Sequence, residues 1–142
     1  MKVTYENSIE FKVRELIKNN KSGVILREDL SALGSYRQIS RVLNKLIASK
    51  ELAKISHGIY SRAYESEYLD IPLLERGFEE TTQKALDRLN VEWDSSAAVK
   101  AYNSGETQQV PVNNTVRLRT RCRRKFSYAG RDLRFEGNVN AR

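Results

Sequence analysis

Residues 35–62 read SYRQISRVLNKLIASKELAKISHGIYSR, and their pattern decides the fold of the first half of the chain. Apolar residues in this stretch recur at intervals of three and four positions, the period of an amphipathic helix, and they are Ile39, Val42, Leu43, Leu46 and Ile47. Ser35 stands just before this stripe and is a suitable N-cap. The sequence therefore predicts a helix over 36–50 whose apolar stripe belongs to a core.

The second half of the same stretch predicts a β-hairpin. Two β-prone segments, 52–56 and 59–62, are separated by His57 and Gly58, a glycine-containing pair that suits a tight turn. The hairpin would follow the helix after only a short connection.

Two further helices are predicted upstream. Apolar positions at helical spacing indicate a helix over 5–21, and a second short helix is indicated over 27–33. The apolar run 23–26 between them is either a strand or a tight connector. Helix, short helix, helix and hairpin in this order are typical of a winged helix-turn-helix.

In such a fold the N-terminal residues of the third helix meet base edges in the major groove. Arg37 and Arg41 lie one turn apart and suit guanine or adjacent phosphates, while Gln38 suits adenine. The alternatives are an ordinary solvated helix face and a protein-interaction module. The candidate DNA-binding residues are Ser35, Tyr36, Arg37, Gln38, Ser40, Arg41, Asn44 and Lys45 on the helix, and Lys54, His57 and Arg62 on the hairpin.

Charge is distributed unevenly along the 142 residues, whose formal net charge is +7. Residues 1–62 hold 12 basic and 6 acidic residues, residues 63–114 hold 4 and 10, and residues 115–142 hold 9 and 2. Two basic blocks around an acidic middle favour a surface that binds a polyanion. The same composition also fits a solvated surface on which the sign of the charge is unevenly distributed.

The sequence also argues against several classes of function. The single cysteine, Cys122, and the single histidine, His57, exclude an internal disulfide and a Cys/His zinc site, and they disfavour catalytic triads. We therefore expect no enzyme activity, no cofactor and no metal. No apolar run is long enough for a membrane span, and the N-terminus lacks the apolar region of a signal peptide, so we expect a cytoplasmic protein.

The second half of the chain predicts a separate small unit. Residues 63–77 suggest a linker, 78–89 an amphipathic helix, and Ser96 the N-cap of another short helix. We accordingly predict two domains, 1–65 and 70–142.

Over residues 116–128 the even positions are largely apolar and the odd positions from 117 to 125 are all basic, which predicts a strand with one basic face. Arg124 interrupts the apolar face, so a bulge or turn is expected over 122–125, and Cys122 is expected in the core. Such a face suits a nucleic-acid backbone, or its cations pair internally with the acidic segment 63–114. The basic residues are Arg117, Arg119, Arg121, Arg123 and Lys125.

The sequence resembles AbiE-type antitoxins, the transcriptional regulators of type IV toxin–antitoxin (abortive infection) systems. In the first half the similar residues are Gly34-Ser35, Val42-Leu43-Asn44-Lys45-Leu46, Lys50-Glu51-Leu52, Ile55 and Gly58-Ile59-Tyr60. In the second half they are Ser96-Ala97-Ala98, Thr107-Gln108-Gln109-Val110-Pro111, the arginine-rich stretch, Gly130 and Leu133-Arg134-Phe135.

The resemblance implies a repressor that binds operator repeats in its own promoter. It also implies a second domain that counteracts a nucleotidyltransferase-like toxin without a stable complex. The chain ends soon after Phe135, where many relatives continue with further helices, and its tail is richer in arginine. The first difference puts complete antitoxin activity in question, and the second suggests a nucleic-acid ligand for the second domain.

The sequence as a whole predicts an α+β protein: an N-terminal winged helix-turn-helix followed by a small mixed α/β domain with a short antiparallel sheet. The expected function is DNA-binding repression with an antitoxin-like role. The alternative is an RNA- or ribosome-binding module that uses the arginine-rich sheet, with the winged helix as scaffold or protein-interaction surface.

Overall fold

The first half of the chain forms three helices and a small sheet in the computed structural model, which describes residues 8–108 and 115–136. In chain order the elements are α1 (Ile9–Asn19), β1 (Val24–Leu26), a 3-10 helix (Arg27–Leu33), α2 (Tyr36–Ala48), β2 (Leu52–Ser56) and β3 (Ile59–Tyr64). Residues 5–7 of the predicted first helix lie outside the described residues, and α1 begins after its N-cap Ser8. The apolar run 23–26, whose sequence fits either a strand or a connector, contains the strand β1.

The second half contains two helices and six short strands among the described residues. They are β4 (Leu73–Leu74), α3 (Gly77–Arg88), β5 (Trp93–Ser95), α4 (Ala97–Asn103), β6 (Thr115–Leu118), β7 (Ser127–Tyr128), β8 (Arg131–Asp132) and β9 (Arg134–Glu136). The predicted N-cap Ser96 accepts a hydrogen bond from the backbone N–H of Val99 and begins α4. The chain is therefore of the mixed α+β class.

Helix α2 follows the sequence prediction closely, except that it ends two residues early. Lys50 adopts a left-handed conformation, with φ of 64°, and such a residue does not continue a right-handed helix. The backbone N–H of Glu51 then donates to the carbonyl of Leu46 and closes the helix end.

The predicted apolar stripe of α2 lies in a core with α1, the 3-10 helix and the sheet. Ile47 is partly buried against this core, and the other four stripe residues are fully inside it. The buried members of the cluster are Val13, Ile17, Ile25, Leu30, Ile39, Val42, Leu43, Leu46, Leu52 and Tyr60. The prediction that the stripe is core is confirmed.

The first sheet has the order β1-β3-β2, all antiparallel, and β4 adds to the far end of β3. The predicted hairpin is confirmed, with His57 and Gly58 at its turn. The segment 63–77, predicted as a linker to the second half, also extends the first sheet, because Leu73 and Leu74 pair with Tyr64 and Ala63.

The prediction of a strand over 116–128, interrupted only near 122–125, is wrong for most of its length. The strand β6 ends at Leu118, and the next backbone N–H, that of Arg119, donates to the carbonyl of Glu92, which precedes β5. The second half contains a short antiparallel sheet, as expected, in which β7 pairs with β8. Its three-stranded sheet is mixed, since β5 pairs with β6 antiparallel and β9 pairs with β6 parallel. The predicted irregularity at 122–125 is thus part of a longer irregular segment.

A second buried cluster contains residues from both predicted domains. Its members are Val24, Leu26, Ala53, Ile55, Ile59, Leu74, Phe78, Ala85, Leu86, Val116, Leu118, Phe126 and Leu133, and Cys122 packs against them. The Arg88 guanidinium of α3 also donates to both carboxylate oxygens of Asp29, at 2.6 and 2.7 Å, and to the carbonyl of Val24. Packing and ion pairing therefore join the two halves, while the division at 65–70 stays a prediction.

No helix in the described part of the chain is long and apolar enough to cross a membrane.

Candidate nucleic-acid interface

The N-terminus of α2 is fixed by a capping box. The Ser35 hydroxyl accepts from the backbone N–H of Gln38 at 3.2 Å, and the Gln38 side-chain oxygen accepts from the backbone N–H of Ser35 at 2.9 Å. Bidentate adenine recognition would need that amide oxygen, so it would compete with the cap. Gln38 thus has a structural role that the sequence prediction did not assign.

Arg27, which the sequence analysis did not select, organises the same end of α2. Its guanidinium lies 3.7 Å from the centroid of the Tyr36 ring and donates to the Tyr36 carbonyl and to the Ser40 hydroxyl. These contacts form because the 3-10 helix crosses α2 in the fold. No local sequence signal could therefore have revealed the role of Arg27. Arg27 fixes Tyr36 although that ring is 72% exposed.

Arg37 and Arg41 are exposed on the outer side of α2. Within the described residues neither has an acidic partner within ion-pair distance. Asn44 is exposed on the same helix. The predicted outward face therefore presents free cations beside an exposed aromatic ring.

A cleft of about 190 Å³ separates α2 from the hairpin tip. It brings together five residues predicted separately from the helix and the hairpin, namely Tyr36, Ser40, Asn44, Lys54 and His57. Small-molecule sites usually exceed about 300 Å³, so the cleft suits a groove between two contacting elements better than an enclosed ligand site.

Two predicted residues have their cationic groups engaged within the protein. Lys45 forms an ion pair with Glu10 of α1 at 2.6 Å, and its hydrogen bond is the main reason that the pKa of Glu10 lies below its usual value. Arg62 lies at the base of the hairpin, where it pairs with Glu75 and donates to the carbonyls of Ile17, Lys18 and Asn20 at the end of α1. The assignment of these two residues to DNA stays a prediction, and both have clear structural contacts.

The five predicted basic residues of the second half differ in their pairing: one has an acidic partner among the described residues, and four do not. Arg119 lies 3.1 Å from Asp94, whose pKa is lowered to about 2 by hydrogen bonds from Lys100, from its neighbouring backbone N–H and from Arg119. The other four predicted residues are exposed and form no ion pair with any described acidic group; they are Arg117, Arg121, Arg123 and Lys125. Internal pairing with the acidic segment thus accounts for one of the five.

Arg124 connects the two basic regions. Its Nη1 donates to the backbone carbonyl of His57, at the hairpin tip, with a distance of 2.6 Å. In the sequence pattern Arg124 is only an interruption of an apolar face. The irregular segment 119–125 therefore reaches the hairpin tip beside α2.

No group of acidic, histidine or cysteine side chains in the described ranges, 8–108 and 115–136, is arranged to hold a metal ion. No protein-family model, curated protein or solved structure matches the chain. The resemblance to AbiE-type antitoxins rests on sequence motifs alone, and Gln109, Val110 and Pro111 of those motifs lie outside the described residues.

Proposed function

We propose that this chain binds double-stranded DNA through the N-terminal half of α2 and the tip of the β2–β3 hairpin, as a winged helix-turn-helix protein. The observation that carries the proposal is the free cationic face of Arg37 and Arg41, which stands beside the cleft shared with Lys54 and His57. The opposite face of α2 is buried, so the helix has a single outward side.

The dimensions of α2 suit this role. A helix with its side chains is about 10–12 Å across, and the major groove of B-DNA is about 12 Å wide. Arg37 and Arg41 are one turn apart on α2 and can contact a base edge and a neighbouring phosphate together. Arg27, Lys54 and the hairpin tip would lie near the flanking backbone.

The biological role that we propose follows from the resemblance to AbiE-type antitoxins. Binding to operator repeats in its own promoter would repress transcription. The second half would counteract a nucleotidyltransferase-like toxin without a stable complex. The RNA- or ribosome-binding alternative is less well supported, because its cations do not share one face of a strand.

The proposal is tested by measuring fluorescence anisotropy with duplex DNA from upstream of the gene. The double variant Arg37→Ala, Arg41→Ala should bind at least about 5-fold more weakly, because the loss of one base contact costs about 1–3 kcal/mol and the loss of a phosphate contact adds to it. The matched control, Lys12→Ala with Lys18→Ala, removes two exposed charges from α1 and should have a much smaller effect. Equal binding by the double variant and the wild type would refute the proposal.

A further inference from the structure

The segment Arg119–Lys125 is held at both ends although it has no regular structure. At its start, the backbone N–H of Arg119 donates to the carbonyl of Glu92 at 2.8 Å. Just past its end, Phe126 is buried, and its carbonyl accepts from the backbone N–H of Leu133 at 3.0 Å. The path of the segment is therefore fixed relative to the core.

The middle of the segment is fixed by Arg124 at the hairpin tip. Consecutive Cα atoms are about 3.8 Å apart, so Arg123 and Lys125 begin within one residue of that contact. Both side chains are exposed, as is that of Arg121, and none of the three pairs with a described acidic residue. Three free cations thus extend the basic surface beyond the hairpin.

We propose that Arg121, Arg123 and Lys125 bind the phosphate backbone of the same DNA duplex that α2 contacts, on the flank next to the hairpin tip. This inference rests on the proposed function and adds a second DNA-binding element to it. Long flexible cations without a fixed polar partner suit phosphate contacts, which give affinity without base preference.

The position of the segment favours duplex DNA over a separate RNA ligand. The contact between Arg124 and His57 places these cations against an element that already belongs to the proposed DNA surface. A duplex seated on α2 and the hairpin would bring its flanking phosphates to the segment, whereas an independent RNA would have to approach beside the bound duplex.

The test compares the full-length chain with the triple variant Arg121→Gln, Arg123→Gln, Lys125→Gln across a salt titration. Loss of three phosphate contacts should flatten the slope of log affinity against log salt by about 2–3 units. Between about 50 and 200 mM salt, the wild type should therefore lose roughly 40-fold more affinity than the variant. The footprint should shorten on one flank, and the preference among duplex sequences should stay unchanged.

The matched control is Lys12→Gln, Lys18→Gln, Lys21→Gln, which removes the same charge from exposed positions on and just after α1. Its slope should change by less than about one unit. Since every substituted residue is exposed, thermal melting should show that all three proteins fold alike.

The outcomes separate the two proposals. An unchanged slope and footprint for the triple variant, with the wild type still dependent on Arg37 and Arg41, would overturn this inference and leave the proposed function intact. Binding that is lost in the triple variant but unaffected by loss of Arg37 and Arg41 would overturn the proposed function. Tighter binding of single-stranded RNA than of duplex DNA by the wild type, abolished in the triple variant, would overturn both.

Discussion

Helix α2 and the segment 116–128 show the same sequence feature, a basic face opposite an apolar one. The helix forms over nearly all of its predicted length, whereas the strand ends at Leu118. A helix satisfies its hydrogen bonds from its own backbone, so a stripe of core residues and a capping box are enough to define it. A strand depends on neighbours, and both neighbours of β6 are only three residues long. Periodicity in a sequence therefore predicts a helix more safely than a strand.

The irregular segment is nevertheless followed directly by the buried ring of Phe126, and the largest expected effect tests whether this ring anchors it. Phe126 is 1% exposed in the second cluster, so Phe126→Ala should lower the free energy of unfolding by about 3–5 kcal/mol. Urea denaturation measures this loss in the free energy of unfolding. The control is Ser127→Ala, at the neighbouring exposed residue. A loss below about 1 kcal/mol would mean that the segment is not anchored by this ring.

The corresponding experiment on α2 concerns Leu43, which is also 1% exposed. Leu43→Ala should cost about 2–5 kcal/mol, because the substitution leaves a cavity between α1, α2 and the sheet. Asn44→Ala, one residue further on the exposed side, should change stability by less than about 0.5 kcal/mol. Similar losses in the two variants would show that the phase of the helix is wrong.

The first half of the fold was predictable because its signals are local. The Ser35 cap, the apolar stripe of α2 and the His57-Gly58 turn each act within a few residues. The contacts made by Arg27 and Arg124 were not predictable, because each joins elements that only the tertiary fold brings together. The candidate site was thus located from the sequence, but two of the cations that shape it were not.

The third prediction concerns the ion pair that joins the two halves. Arg88→Gln removes a pair of charge-assisted hydrogen bonds to the partly buried Asp29 and should cost about 1–2 kcal/mol near neutral pH. The matched control, Arg76→Gln, disrupts a more exposed pair with Glu80 and should cost less.

The pair should also give stability a dependence on pH. Partial burial raises the pKa of Asp29, but hydrogen bonds from Arg88 and from the Leu26 backbone outweigh it, so the net pKa is lowered. The resulting stabilisation is present above the unfolded-state pKa, about 3.9, and is lost as pH falls through the lower folded-state pKa. Denaturation at several pH values should show a smaller acid loss for Arg88→Gln than for the wild type. Equal losses would exclude this carboxylate as the cause.

The smallest expected effect is that of the cap on α2. Ser35→Ala removes the hydroxyl that accepts from the Gln38 backbone and should cost about 1 kcal/mol. Ser96→Ala, at the cap of the shorter α4, provides the comparison in the second half. If neither change shifts the thermal midpoint, the caps do not define these helix starts.

In the function that we propose, α2 and the hairpin tip form the DNA-binding surface. Titration of the isotope-labelled chain with a duplex oligonucleotide, followed by the backbone amide signals, locates that surface directly. We expect the largest shifts within 35–41 and 54–58, with a second group at 121–125. If the large shifts were confined to α3 and β4 and the amide signals of those three ranges did not change, the proposed surface would be wrong.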